Sequence, residues 1–314
     1  DGPVENILDM TDSLSVAVTN FLILTFLKTE IPPSVHSLVG STRSPEALRK
    51  FIDGQKVYME MNFPLATEMF QAAIKIDSNF TIAKVMLAIL YLNQGMVDEA
   101  KKCSISSYER RDQLSRMDKI SSEWCYSVCF GTPNETLRYL RNALEVDDQQ
   151  PIIYYNIGVF YNITYQYDKA IVELEKSLEI TKKWGIKPMW VNSYLALGFA
   201  YQKSGEYKKA EKLYRIAEED FPDNIGLIFN QAVLALSEGK TKEADEYIKK
   251  YKSIREENSL SEAGIATEMA GIYSEAGIFD KAEINYRKAL SLEPDNPILM
   301  NNLAYFLIDK DRNI

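Results

Sequence analysis

The chain has 314 residues, with 36 Lys+Arg against 45 Asp+Glu and a formal net charge of −9. That balance excludes a general nucleic-acid backbone binder, which needs broad positive surface to displace phosphate counterions. An apolar fraction of 46% excludes a disordered chain, 14 Gly and 11 Pro are few for a loop-rich all-β protein, and one His with three Cys leaves little for metal or acid–base chemistry.

The first predicted element is a helix over residues 1–28. Its most apolar stretch, 14–27, is interrupted by Ser15, Thr19, Asn20 and Thr25, whereas a bilayer span needs about 20 apolar residues. Leu14, Val18, Phe21 and Leu22 recur at helical spacing, which predicts a buried amphipathic helix and no membrane span. Pro32 and Pro33 break the helix. His36 lies in the linker that follows and reads as a surface or packing histidine. Ser44-Pro45-Glu46-Ala47 then looks like an N-cap into a new helical region. The chain begins at Asp1, and no basic region precedes an apolar stretch, so no signal peptide is visible. The expectation is a processed chain or a piece of a longer one. Cys103, Cys125 and Cys129 suggest no disulfide framework, which favours a reducing, cytoplasmic setting over the alternative of a bacterial periplasm.

From residue 47 the chain repeats itself. Tyr194, Leu197, Gly198, Tyr201, Gly205, Tyr207, Ala210, Tyr214, Ala217 and Pro222 fall at fixed offsets, and Ala270, Tyr273, Gly277, Phe279, Ala282, Tyr286, Ala289 and Pro294 fall at the same offsets within a 34-residue period. Agreement at this many positions resembles the tetratricopeptide repeat family. In one register the repeats are 47–80, 81–114, 117–150, 151–184, 191–224, 225–258 and 263–296, with short insertions between them and an eighth beginning at Pro297. The third is degenerate: Glu123 and Trp124 stand where Leu-Gly belongs. The resemblance implies an all-α fold, a right-handed α-solenoid of about seven helix pairs plus a partial eighth. Small residues at positions 8, 20 and 27 let paired helices approach, and large ones at 4, 11 and 24 fill the space between them. Ten of the 19 Tyr fall on such scaffold positions and need no binding role.

The expected domains are 1–46, an amino-terminal helix and linker, and 47–314, the solenoid. The stretch Thr42-Arg43-Ser44-Pro45-Glu46-Ala47 resembles the junction at which bacterial signalling proteins pass from a small α/β domain, similar to the amino-terminal domain of Tol-system periplasmic proteins, into such repeats. The segment ahead of it then reads as the tail of that upstream domain.

Catalytic signatures are missing: there is no phosphate-binding Gly-rich loop and no H-E-x-x-H. Cys125 and Cys129 share a helix face, yet a structural zinc wants four ligands and no second pair exists, so they read as small apolar fillers. No enzyme activity, cofactor or metal is expected. The Asn-x-Thr triplets at Asn79, Asn134 and Asn162 read as chance, and the Lys/Glu runs on second helices as solvated faces.

The resemblance implies that positions 2, 5, 9, 12 and 13 line a concave groove. From repeats four to six the expected peptide-binding residues are Tyr155, Val159, Asn162, Ile163, Leu195, Phe199, Gln202, Lys203, Phe229 and Val233. They form an apolar strip with a few amides, suited to an extended peptide or an inserted helix. A clamp for a terminal carboxylate is absent, because Phe51 and Gln55 stand where Lys and Asn would be. The function expected is therefore a protein- or peptide-binding scaffold. The alternative is a sensor module of a bacterial kinase, cyclase or transcription regulator, its groove filled by 14–27 until a ligand displaces it. The last helix, from Pro297, carries Leu299, Met300, Leu303, Ala304, Phe306 and Leu307. One side should pack on repeat seven; the other predicts a chain continuing beyond Ile314 or a homodimer.

Overall fold

The computed structural model describes residues 14, 18, 21, 22, 41–185, 188 and 190–312. Among them are fifteen α-helices of the repeat region, one short 3-10 turn and no strand. The helices are α1 (Pro45–Met59), α2 (Phe63–Ile76), α3 (Thr81–Asn93), α4 (Val97–Tyr108), α5 (Arg116–Phe130), α6 (Pro133–Val146), α7 (Pro151–Ile163) and α8 (Tyr167–Lys183). They continue as α9 (Asn192–Lys203), α10 (Tyr207–Asp220), α11 (Ile225–Ser237), α12 (Thr241–Glu257), α13 (Glu262–Glu275), α14 (Phe279–Leu292) and α15 (Pro297–Arg312). The fold is an all-α repeat solenoid in the register read from the sequence. The helices fall into two compact units, one of residues 41–160 and 175–190, the other of 161–174 and 191–312.

Entry into the first repeat follows the local chemistry. Ser44 caps α1 by accepting from the Ala47 amide at 3.2 Å, Pro45 supplies a preset φ, and the buried Thr42 hydroxyl donates to Asp77 at 2.5 Å. In the first unit Phe51, Phe70 and Phe80 interlock, with ring centroids 5.5 and 5.1 Å from Phe51. A Cβ on Gly54 would meet the Phe70 ring at 2.8 Å. In the second unit the same pairing is tighter. A Cβ on Gly198 would meet Tyr214 at 2.1 Å, so only glycine admits the buried ring between α9 and α10.

Position 15 of the repeat is a left-handed turn. Gly95, Gly205, Gly239 and Gly277 hold φ between 72° and 76°, and in repeats one and four Met61 (φ 63°) and Tyr165 (φ 59°) adopt the same region without being glycine. The third repeat turns differently. Gly131 is extended, and Thr132 and Glu135 form a reciprocal capping box at the start of α6.

One sequence expectation is corrected. Leu14, Val18, Phe21 and Leu22 are helical, as their spacing predicts, but 47–65% exposed. These four positions are therefore not buried ones. The rest of 14–27 and His36 lie outside the described residues. At the other end, Leu299, Leu303 and Phe306 of α15 are buried, Phe306 lying 5.1 Å from Tyr286, while Ile298, Met300, Tyr305 and Ile308 are exposed.

Candidate functional site

The ten groove positions fall in both units. In the first, Tyr155 is half-buried beneath Trp190, their rings 4.9 Å apart, and burial pushes its phenol far up. Trp190 also lies 5.9 Å from Tyr58, which accepts a hydrogen bond from the Asn93 amide at 3.1 Å. Val159 is half-buried.

In the second unit the remaining positions divide by what they touch. Val233 is 5% exposed and belongs to the core of repeats six and seven with Ile228, Ile248 and Met269. Phe229 packs on that core, its ring 6.1 Å from Tyr251. Leu195 lies against Gly226, where an added Cβ would meet it at 3.0 Å. The Gln202 amide donates to the Tyr214 hydroxyl at 2.7 Å and to the Asn230 carbonyl at 3.4 Å. The Asn162 amide donates to the Ala196 carbonyl at 2.9 Å, leaving its buried Oδ1 without a donor. Both amides tie a repeat to its successor.

What faces solvent is a shorter strip. Ile163 is 71% exposed and Tyr165 80%. Phe199 stands edge-on to Tyr167 with centroids 6.0 Å apart, and the Lys203 ammonium lies 5.3 Å over the Phe199 ring. The same ammonium reaches Glu275 at 3.0 Å. Sequence reasoning named Ile163, Phe199 and Lys203 but missed Tyr167 and Glu275. Tyr167 falls on a scaffold position of the register, and Glu275 belongs to repeat seven, beyond repeats four to six.

The cysteines make a second cluster. Cys103 of α4 packs beside Cys125 of α5 and disfavours its ionisation, a neighbour that helix spacing alone does not reveal. A hydrogen bond from Cys125, aided by Lys101, lowers the Cys129 thiol to about 7, while Cys125 is pushed well up. Among the described residues no group of three or more His, Cys, Asp or Glu is arranged to hold a metal, and no helix is long and apolar enough to cross a membrane.

Comparison with known proteins adds the family. A tetratricopeptide repeat model matches residues 152–183, 191–218 and 263–296. The chain is 21% identical over 239 residues to the BBSome complex member BBS4 of Bos taurus, covering 72% of this chain and 41% of that protein. It is 31% identical over 132 residues to tetratricopeptide repeat protein 29 of Macaca fascicularis, covering 40% of this chain and 28% of that one. The matches therefore span less than half the length of these relatives. Among solved structures it is similar to a Rap protein complexed with competence and sporulation factor, at 16% identity and a TM-score of 0.58, covering 89% of this chain and 84% of that one. Repeats of this kind serve in general as scaffolds for protein interaction and are typically non-catalytic. The matched repeats, the 34-residue register and the paired helices show that this chain carries tetratricopeptide repeats.

Proposed function

We propose that the second unit binds an extended peptide segment of a protein partner along the strip formed by Ile163, Leu195, Phe199, Lys203 and Phe229. The observation that carries the reading is the exposure of Ile163 and Tyr165 beside the Phe199–Tyr167 pair, because a contiguous apolar patch on a folded protein marks a contact surface. The Asn162 and Gln202 amides, engaged within the solenoid, hold the strip's backbone in place. The similarity in fold to a Rap protein seen with a bound factor is consistent with this use.

Selection from a library of displayed peptides tests it. Wild-type protein should enrich a common apolar motif, and Phe199→Asp should lose that enrichment with helicity unchanged. Equal enrichment by both proteins would sink the reading.

A second proposal, that two copies pair through α15, draws on the exposure of Ile298, Tyr305 and Ile308. Light scattering should show a dimer that Ile308→Lys reduces to a monomer; a monomeric wild type removes it.

A further inference from the structure

The third repeat carries an exchange of size. Where repeats one and five place glycine at position 8 and an aromatic ring at position 24, this repeat places Trp124 at position 8 and Leu140 at position 24. Beside Trp124 and Leu140 lies a chamber of about 200 Å³. Every residue that borders it belongs to the first unit. Ile82, Val85 and Ile89 of α3 form one wall, α5, α6 and the start of α7 the others, and Trp190 and Tyr58 also border it.

The chemistry of the wall is one-sided. None of the lining residues is charged. Polar groups are few among them, and one is buried without a protein partner. The Trp124 Nε1–H has no acceptor, and Ser121 and Asn156 are half-buried. A buried polar group normally finds a partner, so the unpaired Trp124 Nε1–H beside this apolar space is a group that a ligand acceptor would satisfy.

From this chamber we infer a binding site for a small, neutral aromatic molecule, about one substituted ring in size, that carries a single hydrogen-bonding group. Charge is excluded because no side chain in the wall would compensate for its desolvation. Size follows from volume. A dry apolar cavity of about 150 Å³ takes benzene, and drug-sized ligands need about 300 Å³ or more. An extended peptide main chain is disfavoured, since each residue brings an N–H and a C=O and a mostly apolar wall has few polar groups to pair with them. The site is separate from the peptide strip and does not rest on it.

The test uses the full chain with 4-fluorophenol, followed by ¹⁹F NMR. The expected result is saturable binding, at least tenfold weaker for the charged 4-fluorobenzoate. Ser121→Phe and Ile89→Phe, each of which fills the chamber, should abolish binding while far-UV circular dichroism stays that of the wild type. Asn156→Leu should weaken 4-fluorophenol about fivefold, the loss of one ordinary hydrogen bond, and leave fluorobenzene unchanged. No saturation by wild type at millimolar probe overturns the site. So does undiminished binding by a folded filling variant, or a chamber that takes only the side chain of a displayed peptide and neither fluorinated ring.

Discussion

Lys203 and Glu275 form an ion pair at 3.0 Å although 72 residues separate them, because both stand at position 13, in repeats five and seven. The repeat between them has Ser237 at that position, a side chain too short to reach across. The lysine is thereby held over Phe199. Both side chains remain partly exposed, so the pair orders the strip more than it stabilises the fold. A double-mutant cycle with Lys203→Ala and Glu275→Ala should give a coupling of no more than about 1 kcal/mol, shrinking in high salt. A salt-independent coupling of several kcal/mol would contradict this.

Gly198→Ala should destabilise the second unit by about 1–3 kcal/mol, since its Cβ would occupy the Tyr214 ring position. Tyr214→Leu, which copies the Leu140 solution of repeat three, should recover part of that loss in the double variant. Denaturant titration checks both, and no recovery in the double variant would show that the ring is not what excludes alanine.

Tyr165→Gly should stabilise the protein by about 0.5–1 kcal/mol. The residue holds φ at 59° and is 80% exposed, so glycine relieves left-handed strain while losing little packing. Thermal melting provides the measurement. A lower melting temperature would mean that the exposed ring packs in a way its surface exposure does not show.

Glu268→Ala should cost about 1–3 kcal/mol, more than the Lys203 pair. Glu268 receives Arg255 through both Nε, at 2.7 Å, and Nη2, and it also accepts from the Tyr251 hydroxyl at 3.0 Å. Burial foremost, with Glu268 adding its charge, pushes the Tyr251 phenol up to about 12. Spectrophotometric titration should show that phenol ionising at lower pH in Glu268→Ala; an unmoved titration would remove the carboxylate from the account.

Alkylation of Cys129 by iodoacetamide should rise through a midpoint near pH 7, with buried Cys125 unreactive. The folded value lies below the usual 9.0, so the fold favours the thiolate. That contribution to stability is complete above the unfolded value and is lost as pH falls through about 7. Lys101→Gln should move the midpoint upward, and a wild-type midpoint near 9 would refute the assignment.

The repeat register was legible because it rests on side-chain volume, and volume at positions 8 and 24 is written in the residue types: Gly198 with Tyr214, Gly54 with Phe70. The degeneracy at Trp124 was visible too, but not its outcome, since a cavity depends on how several helices close around an oversized ring. Trp190 sits in an insertion without periodicity, so nothing in the sequence placed it against Tyr58 and Tyr155. The amides of Asn162 and Gln202 were assigned to a ligand because the register gives direction but not hydrogen-bond partners; those partners are the Ala196 carbonyl, and the Tyr214 hydroxyl with the Asn230 carbonyl. Leu14, Val18, Phe21 and Leu22 show the converse, for periodicity announced a helix face without saying whether anything covers it.

The Trp124–Leu140 exchange also has a mechanical meaning. A repeat array is a chain of joints, each held mainly by its neighbours, and a joint that borders a packing gap forfeits dispersion contacts that its fellows keep. Stretched between its ends in an optical trap, the molecule should yield first at the pair α5 and α6. The extension released there would be one repeat's worth of chain, at a force below that of every later step.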